Sequence, residues 1–299
     1  MQTLETMRRR IESAQDLHAV VRVMKALAAV SIRQYEKSVV SLSEYNRTIE
    51  LGLQVLLRNR PEDIATSEPQ FNERWAGIVF GSDQGMCGSF NDQVTSLALR
   101  KMSQLPGRPN ERTVLAVGLR VVGRLEDAGC QIGQCFPVPG SVAGIAPVVH
   151  DLLLKVEELR VERGLSRFIL FHHRPISDAA SRPHEIPLLP VNPSWLRDIS
   201  QRLWPSRSLP AFTMDWRRLF SALIRQHLFV VLYRAVAESL ASENASRLAS
   251  MQAAEKNIQE HLAGLTMRYH QERQQSITEE LLDIVTGFET LIGAAGREP

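Results

Sequence analysis

Apolar residues open the chain in a seven-residue frame, through Leu4, Met7, Ile11, Ala14, Val21, Ala28, Ile32, Tyr35, Val39, Leu42, Ile49, Leu53 and Leu56, with neither proline nor glycine between Met1 and Leu51. A repeat of that length keeps one narrow stripe on one side of a helix, which is how a coiled-coil seam is written in sequence. The pattern predicts a single helix over residues 1–60, roughly 90 Å long at about 1.5 Å per residue, more than a compact domain could enclose. His18, Lys25 and Asn46 fall on seam positions, where polar residues cost stability and fix register. Pro61 and the largely polar stretch Glu62 to Glu73 are expected to end the helix.

A different texture follows. Trp75 to Phe80 reads as a buried strand and leads through a glycine-rich turn into a helix over about Asn91 to Met102. A strand over Thr113 to Val117, a helix over Leu119 to Ala128 and a strand over Gln131 to Phe136 come next. A helix over Ala146 to Arg163, a strand over Arg167 to His172 and a proline-broken extended piece over Ile186 to Val191 complete the series. The order βαβαβαββ predicts a mostly parallel sheet covered by helices, a small doubly wound, Rossmann-like α/β domain over residues 70–195.

Pro187, Pro190, Pro193, Pro205 and Pro210 mark a connecting region, after which no proline occurs until Pro299. That gap predicts a second long helix over residues 211–292, with Asp215 as its N-cap. Its seam runs through Leu219, Leu223, Val230, Tyr233, Ala237, Leu240, Asn244, Leu248, Met251, Ile258, Leu262, Leu265 and Tyr269. Two long amphipathic helices at opposite ends of a chain bury their seams most simply against each other. The expected fold class is therefore α/β with long helices: an antiparallel coiled coil of the N- and C-terminal helices plus the α/β domain. The C-terminal helix is the longer, so its last turns should project, and Met267 to Glu280 is polar enough to face water or another protein.

Composition narrows the function. Of 299 residues, 44% are hydrophobic and 23% charged, and the formal net charge is +2, so no basic field advertises a nucleic-acid partner despite Arg8, Arg9 and Arg10. Three cysteines, Cys87, Cys130 and Cys135, fit a reducing compartment rather than a disulfide framework. Cys130 and Cys135 lack the second pair of ligands that a zinc site needs. The N-terminus has no signal-like apolar core, and no run of about 18 apolar residues occurs, so any membrane contact is expected to come through partners.

One loop invites an enzymatic reading. Gly81-Ser82-Asp83-Gln84-Gly85-Met86-Cys87-Gly88-Ser89-Phe90-Asn91 lies between a strand and a helix, where α/β proteins often hold phosphates. It lacks the lysine of a P-loop, and its glycines do not give Gly-x-Gly-x-x-Gly, so it reads as a structural turn or docking surface. Cys87 as a nucleophile with His172, His173 and His184 as base or ligands finds no support in spacing. Adjacent histidines point to opposite faces of a strand, and no motif sets a carboxylate beside them. No catalytic, cofactor-binding or metal residue is therefore expected. An α/β nucleotide binder flanked by helices and a coiled-coil adaptor remain alternative readings.

Three segments resemble the gamma subunits of F-type ATP synthases. Arg8-Arg9-Arg10-Ile11 with Met24-Lys25-Ala26-Leu27-Ala28-Ala29 is similar to the family's Arg-rich start and Met-Lys-x-x-Ala-Ala run. Gly81 to Asn91 resembles Gly-Ser-Asp-x-Gly-Leu-Cys-Gly-x-Phe-Asn, and Ser242 to Ala254 with Glu272 to Gly287 resembles the C-terminal signature. Val30-Ser31-Ile32 and the tail Ile292 to Pro299 depart from the pattern, as a divergent branch such as the alternative, sodium-type ATPases would. The resemblance implies a non-catalytic central rotor shaft that couples rotation of an ion-driven c-ring to the conformational cycling of the catalytic beta subunits. It implies alpha and beta subunits, the epsilon subunit and the c-ring as partners, and a peripheral place on the cytoplasmic face of a bacterial plasma (inner) membrane. Carried over residue by residue, Met24 and Lys25 would face the beta subunits, close to Arg247, while Arg273, Gln274 and Thr278 would meet their catch loops.

Overall fold

The computed structural model of the chain describes residues 4–59, 74–105, 112–177, 180–208 and 210–295, and side chains to residue 286 at the C-terminal end. Helix α1 (Leu4–Arg58) runs unbroken for 55 residues. Every position of its predicted seam, including His18, Lys25 and Asn46, is buried or half-buried. It ends where expected, although Pro61 and residues 62–73, on which that expectation rested, lie outside the described residues. Helix α6 (Trp216–Ala295) spans 80 residues, and its predicted seam is likewise shielded throughout. Its start is capped as the sequence predicts: the Asp215 carboxylate accepts a hydrogen bond from the Arg218 amide at 3.0 Å. Replacing Asp215 by Ala should lower the unfolding free energy by about 1 kcal/mol in urea titration, while Asp215→Asn should keep most of it.

The chain divides into two compact units, one made of Leu27–Ser250 and the other of Met1–Ala26 with Met251–Pro299. In the first, the Trp216 indole donates to the Leu56 carbonyl at 2.8 Å and the Tyr45 hydroxyl to Gln226 at 2.9 Å. In the second, Lys25 bonds Glu255, and His18 lies 3.3 Å from Gln259. Within each, rising numbers on α1 meet falling numbers on α6 in the other direction, so the helices are antiparallel.

The chain between the long helices forms a five-stranded sheet of order β3-β2-β1-β4-β5, built from β1 (Trp75–Phe80), β2 (Thr113–Val117), β3 (Gln131–Phe136), β4 (Arg167–Ser177) and β5 (Ala180–Leu189). The first four are parallel and β5 is antiparallel to β4. The central strands are almost continuously apolar because both faces are covered. On one face Ala76, Ile78, Phe80, Phe168 and Leu170 pack with α4 (Ile145–Arg163) and with Leu228, Leu232 and Val236 of α6. On the other, Trp75, Val79 and Phe171 pack with α2 (Phe90–Gln104) and with Val121 and Leu125 around α3 (Val122–Asp127).

Three features depart from the sequence reading. β4 and β5 form a longer hairpin than expected, because Pro187, read as a breaker, sits with Pro183 on an edge strand where a missing N–H is tolerated. The connecting region contains a helix, α5 (Pro193–Gln201). Asn192 caps it, accepting from the Ser194 amide at 2.9 Å, and Pro193 takes the first turn, where its fixed φ is favourable. Finally, an 18-residue window of α6 reaches a mean hydropathy of 1.3, apolar enough by length and composition to cross a membrane. In this fold Leu228, Leu232, Val236 and Leu240 of that helix are core residues.

Candidate functional site

The Gly81–Asn91 loop leaves β1 at its C-terminal end and is closed by its own polar side chains. Asp83 ties three loops together, its two carboxylate oxygens accepting from the amides of Leu119 at 2.9 Å and Val138 at 2.8 Å. Asn91 reaches back from the first turn of α2, accepting from the Ser82 amide at 3.0 Å and donating to the Ser82 hydroxyl at 2.9 Å. Cys87 is buried, with its sulfur 3.4 Å from the Asn91 amide nitrogen. Met86 holds φ near +60°, rare for a residue with a side chain, at the exposed tip. The side chains of Ser82, Asp83 and Asn91 are thus engaged in holding the loop.

α6 grips this loop from one side. Ser246 donates to the Cys87 carbonyl at 2.6 Å, and Arg247 lies 3.4 Å from the Gln84 carbonyl and 2.6 Å from Glu243. Burial pushes the Glu243 carboxyl above its usual range, more than the Arg247 guanidinium lowers it. Burial, seconded by Glu243, also raises the Tyr35 hydroxyl. Arg247, expected among the partner contacts, is only 8% exposed and faces inward.

The histidines occupy opposite faces of β4, as the strand period requires. His173 stacks on Phe90 with centroids 4.2 Å apart, on the side of α2. His172 meets Glu238 of α6 at 3.2 Å, a carboxylate that no sequence motif sets beside these histidines. The partner stands 66 positions away, beyond the reach of any local motif. Burial alone would raise Glu238, but the His172 hydrogen bond and the charges of His172, Arg234 and Arg174 outweigh it and hold the carboxyl low. Burial raises the thiols of both Cys130, just before β3, and Cys135 on it. Among the described residues, no group of three His, Cys, Asp or Glu side chains has metal-binding spacing.

The remaining expected contacts lie in the unit that holds both chain ends. Met24 and Lys25 are half-buried on α1, and Lys25 is engaged by Glu255, whose carboxyl that hydrogen bond lowers. Arg273, Gln274 and Thr278 are exposed on α6, and the Thr278 hydroxyl donates to the Gln274 carbonyl at 2.9 Å. Eighteen residues separate Glu255 from Arg273, about 27 Å of helix, so the structure does not bring the two groups together. Lys25 and Arg247 belong to different units.

Comparison with known proteins bears on what such an arrangement serves. A family model described as ATP synthase matches residues 3–291. ATP synthase gamma chains from Cyanothece sp. and Geotalea daltonii are each 26% identical, covering 97% and 98% of this chain and 100% of their own lengths. The chain belongs to the ATP synthase gamma family. Solved structures share the fold: the rotor of the Euglena gracilis mitochondrial ATP synthase in rotational state 1, with a TM-score of 0.58 at 15% identity, covers 92% of this chain and 98% of its own. The OSCP/F1/c-ring structure of the same enzyme in rotational state 3 gives 0.61 at 16% identity over 99% and 96%. The central stalk and c-ring structure from Tetrahymena thermophila gives 0.54 at 17% identity over 79% and 99%. Gamma-family membership places the loop, the long helices and the sheet within a membrane-associated rotary complex.

Proposed function

We propose that this chain transmits torque between an ion-driven c-ring and a ring of catalytic alpha and beta subunits without catalysing any step itself. As a gamma-family chain it is the central rotor shaft. Met24, Lys25, Arg273, Gln274 and Thr278 would meet the beta subunits directly, and Arg247 would act one step removed, by fixing the Gly81–Asn91 loop to α6. The coiled coil of the helices over residues 1–60 and 211–292 would stand inside the ring, while the α/β domain over 70–195 and the lower coil would grip the c-ring and bind the epsilon subunit. The complex would sit on the cytoplasmic face of a bacterial plasma membrane, moving protons or sodium ions, with the chain touching the bilayer only through its partners.

The observation that carries this reading is the surface of α6 toward its end. From residue 271 to 286 it is exposed on almost every side, yet Ile277, Leu281, Leu282, Ile284 and Val285 stand between 47% and 68% exposed. A clustered apolar surface rimmed by Arg273, Gln274 and Thr278 is what a protein partner covers. A shaft shifts a site's equilibrium only by contacting its conformations differently, and side chains that differ around the helix provide that difference.

The test is co-expression with the alpha and beta subunits and ATPase assays of the purified complex. Arg273→Ala with Gln274→Ala should leave the complex assembled and lower coupled turnover about fivefold, the loss of roughly 1 kcal/mol at an interface. A chain that fails to assemble and binds nucleotide alone would instead support the α/β nucleotide binder.

A further inference from the structure

Four residues of α6 spaced by one turn form a single ridge: Glu238, Ser242, Ser246 and Ser250. Each touches the α/β domain. Glu238 meets the side chain of His172 at 3.2 Å, Ser242 lies 3.5 Å from the His173 carbonyl, and Ser246 donates to the Cys87 carbonyl at 2.6 Å. Beside Ser250 the loop comes so close that a Cβ on Gly88 would stand 3.2 Å from the serine hydroxyl and 3.4 Å from that of Ser246. Gly88 has φ of +58°, so a glycine serves there twice, for its backbone conformation and for the approach.

We infer that this ridge is the seam through which torque passes between the α/β domain and the C-terminal helix. The inference rests on the rotor reading above. Apolar packing is non-directional and resists sliding only through shape, whereas hydrogen bonds and ion pairs lose their energy when geometry changes. The ridge spans thirteen residues, about 18 Å of helix from first to last, and its partners come from two separate elements, the middle of β4 and the loop after β1. Attachment at one point would let the domain swivel about it; attachment along a line resists that rotation.

The buried end of the seam is its firmest point. His172 is fully buried, and Glu238 is also held by Arg234 at 3.1 Å on its second oxygen. His184 of β5 packs edge-on to His172 with centroids 5.8 Å apart, and Phe80 closes the other side. From α6 the pair faces Glu238 and Arg234, and from the β4–β5 hairpin Arg174, Arg182 and His184. Around residues 235–243 the helix is buried on all sides, which the small side chains Ala235, Ala237, Ser239 and Ala241 permit. A coiled-coil seam requires burial on only one side, so this segment is shaped for the domain as well as for α1.

The experiment uses the whole ATP synthase in sealed membrane vesicles, measuring ATP hydrolysis and ATP-driven ion pumping in the same preparation against an opposing gradient. Glu238→Gln with Ser246→Ala should assemble, hydrolyse ATP at close to the original rate and pump about fivefold fewer ions per ATP, the factor that one ordinary hydrogen bond is worth in an equilibrium. Ser246→Ala alone, which replaces serine by a better helix former, serves should the pair of changes impair assembly. Leu232→Ala, which opens the core without touching the ridge, should lower Tm yet leave ions pumped per ATP unchanged. An unchanged pumping ratio in the ridge variants, or an equal loss in Leu232→Ala, overturns the inference. Failure of the original complex to pump would overturn the rotor reading itself.

Discussion

Replacing Gly118 by alanine should cost about 3 kcal/mol of stability, the sum of backbone strain and a collision that nothing can relieve. Gly118 follows β2 with φ of +99°, outside what an L-residue accepts readily. A Cβ there would lie 2.8 Å from both the nitrogen and the carbonyl carbon of Ser82 and 2.9 Å from the carbonyl carbon of Gly81, all backbone atoms. They cannot retreat, because Gly81 donates to Val117 at 2.7 Å, Gly118 to Phe136 at 2.9 Å and Arg120 to Ser82 at 2.9 Å. Two neighbouring glycines give the controls. Gly129 has φ of +77° but nothing within 4 Å, so its alanine variant should pay strain alone, about 1 kcal/mol. Gly123 lies in α3 with open space around it, and alanine there should stabilise by about 0.5 kcal/mol. Urea titration of the four chains should rank them in that order; a Gly118→Ala chain no less stable than Gly129→Ala would show that the crossing of the two loops is not rigid.

That crossing also shows how far the sequence could be read. The glycines, Asp83 and Asn91 marked the loop as special in pattern alone, yet their reason lay in contacts with Leu119, Val138 and Ser82 that bring together the ends of three strands. The long helices were legible because a seven-residue repeat and the absence of proline are local facts that survive in the fold. β1 and β2 were legible for the same reason, being continuous apolar runs between turn signals. The β4–β5 hairpin was misjudged because proline is judged locally, while its cost depends on whether the strand lies at an edge. α5 was missed although Asn192-Pro193 is a cap signal, because the surrounding prolines made the stretch read as a linker. Glu238 was invisible as a partner of His172, since pairing between a strand and a distant helix leaves no local spacing. The Glu243–Arg247 pair, one turn apart, and the serines of the ridge carried signals that spacing alone could have found. Lys25 is engaged by Glu255 and Arg247 by Glu243 with the loop, each within its own unit, and neither partner was foreseen.

Acidification should remove about 3 kcal/mol of stability through His173 alone. The ring is fully buried on β4 against Phe90, and neither nitrogen has a hydrogen-bond partner among the described residues. Burial, helped by the neighbouring His172, lowers its pKa from 6.5 to about 4. Above pH 6.5 the ring is neutral folded and unfolded, and its contribution is fully present. Between 6.5 and about 4 the unfolded chain takes up a proton that the folded chain refuses, so stability falls as pH falls, and below about 4 this group takes no more. At about 1.4 kcal/mol per pH unit the gap gives the figure above. Burial lowers His184 and His227 as well, so the whole chain should be more acid-sensitive than His173 makes it. His173→Leu isolates the single group: it removes two unpartnered nitrogens while keeping a similar volume, and should match or exceed the original stability at pH 7. Plotted against pH, the difference between the two chains should widen steadily from 6.5 to 4 in favour of leucine. Two parallel curves would mean that His173 opens to water at little cost, and with it the face of β4 that α2 covers.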